Sequence, residues 1–218
     1  MEELTAEERR VLGCLVEKEA TTPEQYPLSL NALVLACNQS TNREPVVVHE
    51  PDTVIDALSS LRERKLTRVM HPAHGRVTKY RHVLDEVWAL TREELAVVAV
   101  LLLRGPQTLN ELRTRTERYG GDPADLGGTE GILDRLAARP EPLVVRIERR
   151  PGQREERWAS LLGGSLEWEE PSAAAGGGSR RGRIDELEAT VAELRSEVDE
   201  LRADLADLRV RLGDLLGP

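Results

Sequence analysis

The sequence predicts an α+β, mainly α protein: two similar units, each made of three helices and a β-hairpin, followed by a C-terminal coiled-coil helix. Three observations lead there. A helix-start motif occurs twice, the order helix, helix, helix, hairpin follows it both times, and the last 35 residues carry an apolar seam. Composition agrees, because charged residues make up 32% of the 218 and aromatics only 3%, with no Phe. Small cores of Leu, Val and Ala suit that balance better than one aromatic-rich core.

The first helix of each unit is announced by "LTAEE" at 4–8 and "LTREE" at 90–94. In each, a threonine (Thr5, Thr91) stands three residues before a glutamate (Glu8, Glu94), the capping-box spacing that satisfies free amide donors. The second helices open with "SLNAL" at 29–33 and "TLNEL" at 108–112, where Ser29 and Thr108 are the capping hydroxyls. Pro51 suits the first turn of the third helix, since its missing N–H is not needed there. Leu58, Leu61 and Leu66 are matched in role by Leu133, Leu136 and Leu143. Turn signals at His74-Gly75 and Pro151-Gly152 follow runs of strand character at 66–70 and 143–147. The Gly-rich run at 120–131 follows a polar helix, so it predicts an inter-helix loop and not a phosphate cradle. Three helices and a hairpin, repeated, are the order of tandem winged-helix domains. Their expected bounds are 1–88 and 89–170.

Residues 171–183, "PSAAAGGGSRRGR", form a flexible linker of about 20 Å mean span. Beyond it, over 184–218, Ile184, Leu187, Val191, Leu194, Val198, Leu201, Leu205, Leu208, Leu212 and Leu215 alternate steps of three and four. The first three a positions are β-branched and every d is Leu, which favours a parallel dimer. In that register Glu197 faces Arg202 and Asp204 faces Arg209 of the partner copy, whereas antiparallel pairing would gather Arg195, Arg202 and Arg209. A homodimer through a coiled coil about 48 Å long is expected.

Within 17–46, Pro23 and Pro27 end the first helix and stiffen the turn, and Leu30, Leu33, Val34 and Cys37 share a core-facing stripe. Asn38, Gln39, Thr41, Asn42 and Arg43 are the part that packing explains least. They read either as helix-end capping or as a contact cluster with Arg43 as its anchor. This stretch, "VLGCLVEKEATTPEQYPLSLNALVLACNQSTNREPV" at 11–46, resembles the signature of the YceH-like family of bacterial proteins. The likeness runs on through "VIDALSSLRERKL" and "LTREELAVVAVLLLRGPQTLNELRTRTERYG", covering about residues 4–162. It implies tandem winged helices and a terminal coiled coil, and leaves the biochemical role open.

Charge narrows the function classes. A net charge of −9 excludes a uniformly basic nucleic-acid binder. Between 62 and 82, however, Arg62, Arg64, Lys65, Arg68, Arg76, Lys79 and Arg81 face Glu63 alone, which makes the first wing the candidate contact for duplex DNA or an acidic protein partner. On the second wing Arg146, Arg149, Arg150, Arg154 and Arg157 are offset by Glu148, Glu155 and Glu156. Glu50, Asp52 and Asp56 at the front of the third helix oppose base reading, which would more often use Arg, Lys, Asn or Gln. DNA association or regulation is the leading expectation, and a protein scaffold using the same surfaces is the alternative.

Cys14 and Cys37 read as buried thiols, and His49, His71, His74 and His82 as turn or surface residues without a third metal ligand. No nucleophile elbow, phosphate loop, zinc-protease or dinucleotide motif occurs, so no enzyme, cofactor or metal is expected. The first ten residues hold four glutamates and no apolar signal region, and the longest apolar run, 95–103, is too short to span a bilayer. A cytoplasmic location without membrane attachment is expected.

Overall fold

The computed structural model describes residues 3–71, 77–120, 126–149 and 155–163, and it is α+β with mostly helix. The first half contains α1 (Ala6–Thr21), β1 (Leu28–Ser29), α2 (Leu30–Cys37), α3 (Pro51–Glu63), β2 (Thr67–Met70), β3 (Lys79–His82) and α4 (Leu84–Trp88). In the second lie α5 (Arg92–Arg104), α6 (Leu109–Thr116), α7 (Leu126–Ala137), β4 (Val144–Ile147) and β5 (Arg157–Ser160).

Local chemistry sets the helix starts. Thr5 Oγ1 accepts from the Glu8 amide at 3.2 Å while Glu8 Oε2 accepts from the Thr5 amide at 2.7 Å. Thr91 with Glu94 and Thr108 with Glu111 form the same reciprocal pairs, and Ser29 Oγ caps α2 through the Ala32 amide. Pro51 opens α3 as the sequence suggests. One expectation is corrected: the Gly-rich run is not all loop, because α7 begins at Leu126. Apolar Ile132, Leu133 and Leu136 draw this segment into the core, and burial outweighs the propensity cost of its glycines.

Each half has one antiparallel hairpin, and the repeat extends to a third strand position. In the first half the order is β1-β3-β2, with Leu28 opposite Tyr80. In the second, β4 pairs with β5, and Gln107 alone bridges Trp158 through 2.9 and 2.7 Å backbone bonds. Gln107 precedes its helix as Leu28 precedes α2.

Both halves fall within one compact unit and contribute to one hydrophobic core. The cause is α5, whose residues from Ala96 to Leu103 are all buried. A helix apolar on every side has to be covered on every side. α1 covers one flank, and α6, α7 and β5 cover the others. Closest approach falls at Gly13 on α1, where an added Cβ would lie 2.8 Å from Leu103 Cγ. The linker 171–183, the heptads of 184–218, Arg76, Arg150, Arg154, His74 and the two turn dipeptides lie outside the described residues.

Two glycine substitutions test this packing. Gly13→Val should destabilise by about 1–3 kcal/mol through overpacking against α5. Gly131→Ala, whose Cβ would meet only Arg135, at 3.8 Å, among the described residues, should stabilise α7 by up to about 1 kcal/mol. Thermal melting of the two variants beside the parent reads both signs.

Candidate functional site

Of the polar cluster after α2, Arg43 is buried, Asn38, Gln39 and Asn42 are partly buried, and Thr41 is exposed. The last carbonyls of a helix have no intrahelical donors. Arg43 supplies Ala36 O through Nε and Nη2 at 3.1 and 2.8 Å, and Arg10 Nη1 supplies Cys37 O at 3.1 Å. Arg10 Nη2 also holds Pro45 O at 2.5 Å, while Asn38 exchanges two bonds with the His49 backbone at 2.9 and 2.8 Å. Asn42, at φ 58°, accepts from Arg104 at 2.7 Å, and the Glu44 amide donates to Leu103 O at 2.9 Å. These bonds tie the loop to the end of α5.

Arg43 therefore caps the helix end, the first of the two readings of this cluster, and the second, a surface anchor, is corrected. It is 5% exposed, and its guanidinium meets Glu17 at 3.1 and 2.5 Å and Gln39 at 3.1 Å. Glu17 is paired a second time, with Arg118 from the second half. Burial raises the Glu17 carboxyl, but the Arg43 hydrogen bonds and the charges of Arg43 and Arg118 together hold it below the usual carboxylate range. Arg118 also lies over the Tyr119 ring at 5.2 Å, and burial pushes that phenol up to about 12.

The hairpin sorts its cations by strand alternation. Thr67, Val69, Tyr80 and His82 share the face toward the core and α3, so Arg68, Lys79 and Arg81 share the opposite face, near α4. There Glu86 pairs with Arg68 at 2.9 Å and with Arg81 at 2.9 Å, and Asp85 stands 4.0 Å from Arg81. Arg64 pairs with Glu8 at 3.4 Å. Arg62, Lys65 and Lys79 have no ion pair among the described residues. The first-wing cations thus occupy two faces, and acids close in space balance half of the six described. On the second hairpin Arg146 pairs with Glu156 and lies 5.9 Å from the Trp158 ring centre, Arg157 reaches Pro106 O and Glu111 at 3.1 and 3.2 Å, and Arg149 is exposed.

The outer face of α3 has a different character. Asp52, Ile55, Asp56, Ser59, Arg62 and Glu63 are exposed along it. Beside them stand Val46, 56% exposed, and Val48, 81% exposed, on the segment that Asn38 fixes against α2, whose Leu35 is 72% exposed.

His82 also departs from its sequence reading. It is fully buried, with Nε2 2.6 Å from Glu19 Oε2 and Nδ1 accepting from the Leu84 amide at 3.2 Å, so the Nε2 proton points at Glu19. The Tyr26 hydroxyl accepts from the His82 amide at 2.9 Å. Sequence pointed to neither Glu17, Glu19 nor Tyr26, because their partners are 26 to 101 residues away. Cys14 and Cys37 are buried free thiols. Contact with Cys14 and burial both hold the Cys37 thiol protonated. Among the described residues no group of three His, Cys, Asp or Glu could hold a metal, and no helix is long and apolar enough to cross a membrane.

Known proteins share this chain over most of its length. A family model described as "Protein of unknown function, DUF480" matches residues 4–153. A UPF0502 protein of Pelobacter propionicus is 50% identical over 196 residues, covering 85% of this chain and 89% of that one. UPF0502 proteins of Geobacter sulfurreducens and Burkholderia cenocepacia are 48% and 45% identical, over 85% and 88% of this chain and 87% and 81% of theirs.

Removing one partner of the buried ion pair should be costly. Arg43→Met should lose about 3–5 kcal/mol, because it leaves Glu17 buried with less compensation. The lowered Glu17 pKa adds stability that is present above the unfolded carboxylate value of about 4.3 and lost as pH falls through the folded one. Glu17→Gln should therefore flatten the acid limb of a denaturation series taken from about pH 5 downward.

Proposed function

The chain belongs to the DUF480 family, together with the UPF0502 proteins of bacteria, and on that premise we propose a non-enzymatic tandem winged-helix protein that binds other proteins. Each half supports the winged-helix reading with three helices followed by a hairpin, and the first adds a short third strand. The resemblance to the YceH-like family points the same way. The observation that carries protein binding is the outer face of α3, where an apolar and acidic surface occupies the position from which a winged helix would read a DNA groove. Phosphate would meet Asp52 and Asp56 there, while Arg68 and Arg81 on the hairpin's other face are engaged by Glu86 and Asp85.

The heptads of 184–218 complete the proposal. A parallel coiled coil would bring two copies of the folded unit together on linkers, in the cytoplasm, and make a second contact with a bivalent partner intramolecular. Duplex DNA is the second reading, favoured by Arg62, Lys65 and Lys79, whose charges have no ion pair among the described residues.

A salt series separates the two. Fluorescence anisotropy with a labelled duplex should show no binding tighter than about 10⁻⁴ M at low salt. Affinity near 10⁻⁶ M or tighter that falls steeply with salt would establish DNA binding and overturn the protein-only reading. Sedimentation addresses the dimer: the full chain should run at twice its formula mass and a variant ending at Pro171 at once. A full-length monomer would remove the coiled-coil assignment.

A further inference from the structure

We propose that the groove between α3 and the β2–β3 hairpin receives an extended peptide from a partner protein, one that carries a bulky apolar side chain beside an acidic one. This deepens the protein-binding reading above and rests on it. The groove holds about 330 Å³, within the lower range of ligand sites. Ile55 and Leu58 of α3 form one wall, Val69 and Tyr80 of the hairpin form the other, and Ser59, Thr67 and Thr78 add hydroxyls. Among the described residues that line it Arg62 is the one strong cation, beside His71, and none is an acid; Asp52, Asp56 and Glu63 are exposed on α3 but do not line it, and Arg62 has no ion pair among the described residues. An apolar cleft with one unbalanced guanidinium is complementary to an apolar and acidic segment.

The second half contains the same cleft with different chemistry. Val69 lies opposite Tyr80, and Arg146 lies opposite Trp158. Ile55 stands three residues before Leu58 as Glu130 stands three before Leu133, and Glu130, Arg146 and Trp158 line a cleft of about 410 Å³. There Arg146 sits over the Trp158 ring and pairs with Glu156, so the fold covers its own aromatic surface and balances its own charge. In the first half Val69 replaces that arginine, and both tasks are left to a ligand.

The backbone offers a way to hold it. β2 is one of the two edge strands of its sheet. The Val83 amide donates to Leu66 O at 3.1 Å, so by antiparallel alternation the backbone groups of Thr67 and Val69 point away from β3, and of the two Val69 is the one not buried. A peptide strand added at that edge would place alternate side chains on the groove face.

The test pans the full chain against a displayed library of randomised decapeptides, then titrates resynthesised hits by fluorescence anisotropy. Enriched peptides should carry Asp or Glu beside a Leu, Phe or Trp. Val69→Arg, which installs the second half's own cover, and Arg62→Glu should each weaken them about tenfold or more with unchanged circular dichroism. No enrichment over the Val69→Arg chain used as counter-target, basic consensus peptides, or equal binding to both variants would overturn the proposal. Enrichment of segments of this chain would assign the groove to a second copy and also overturn it. Hits that bind both variants equally would sink the groove while leaving protein binding intact, whereas salt-sensitive duplex binding sinks the protein-only reading itself.

Discussion

A carboxylate taken out of water has to be paired, and Glu17 is paired twice. Arg43 reaches it from the loop after α2, and Arg118 reaches it from beyond α6. The two arginines come from different halves, so one buried charge fixes both the local loop and the junction between repeats. Most of the loop's other polar groups follow from this. Once Arg43 is drawn inward, its remaining donors fall on Ala36 O and Gln39, and Asn42 is placed to take Arg104 from the end of α5. Such a network is worth little as net stabilisation over an apolar core, but it is costly to leave half made. Its effect is to specify one docking geometry for α1 on α5.

That inward turn decides what remains outside. With Asn38, Asn42 and Arg43 engaged beneath it, the segment 46–50 presents Val46 and Val48 to solvent beside the acidic face of α3. Meanwhile α4, a five-residue helix, places Asp85 and Glu86 under Arg68 and Arg81. A surface that looked basic along the chain becomes mixed in space, and the apolar residues become its distinguishing feature. Electrostatic attraction to phosphate is weakened at the place where a winged helix would need it most.

Local rules were legible in the sequence, and long-range partners were not. Thr5, Thr91 and Thr108 act within four residues, so their caps follow from spacing alone. Strand runs near 67–70 and 144–147 were visible for the same reason. Counting charges from 62 to 82 missed the period of two that gathers Arg68, Lys79 and Arg81 on the face away from α3, and it could not see Glu86 arriving from α4. Arg43 and His82 looked like surface residues because a buried Arg or His declares itself only through a partner, and Glu17 and Glu19 lie on a helix far upstream. The shared core had one visible sign, the apolar run of 95–103, whose length without polar relief demanded cover on both flanks.

The two halves keep one backbone plan and differ in what their clefts demand. Equivalent positions hold Ile55, Val69 and Tyr80 in one and Glu130, Arg146 and Trp158 in the other. A ligand that satisfies Arg62 over an apolar floor would meet Glu130 and an already paired Arg146 in the second half, and would lose both its charge partner and its apolar contact there. The repeats are therefore not two copies of one site. The second half contributes Arg118 and the buried α5 to the junction, while the first has the cleft whose arginine, Arg62, has no ion pair among the described residues. If the heptads of 184–218 pair, multivalency comes from a second chain and not from the second repeat, and the length of the segment 171–183 limits how far apart two occupied grooves can sit.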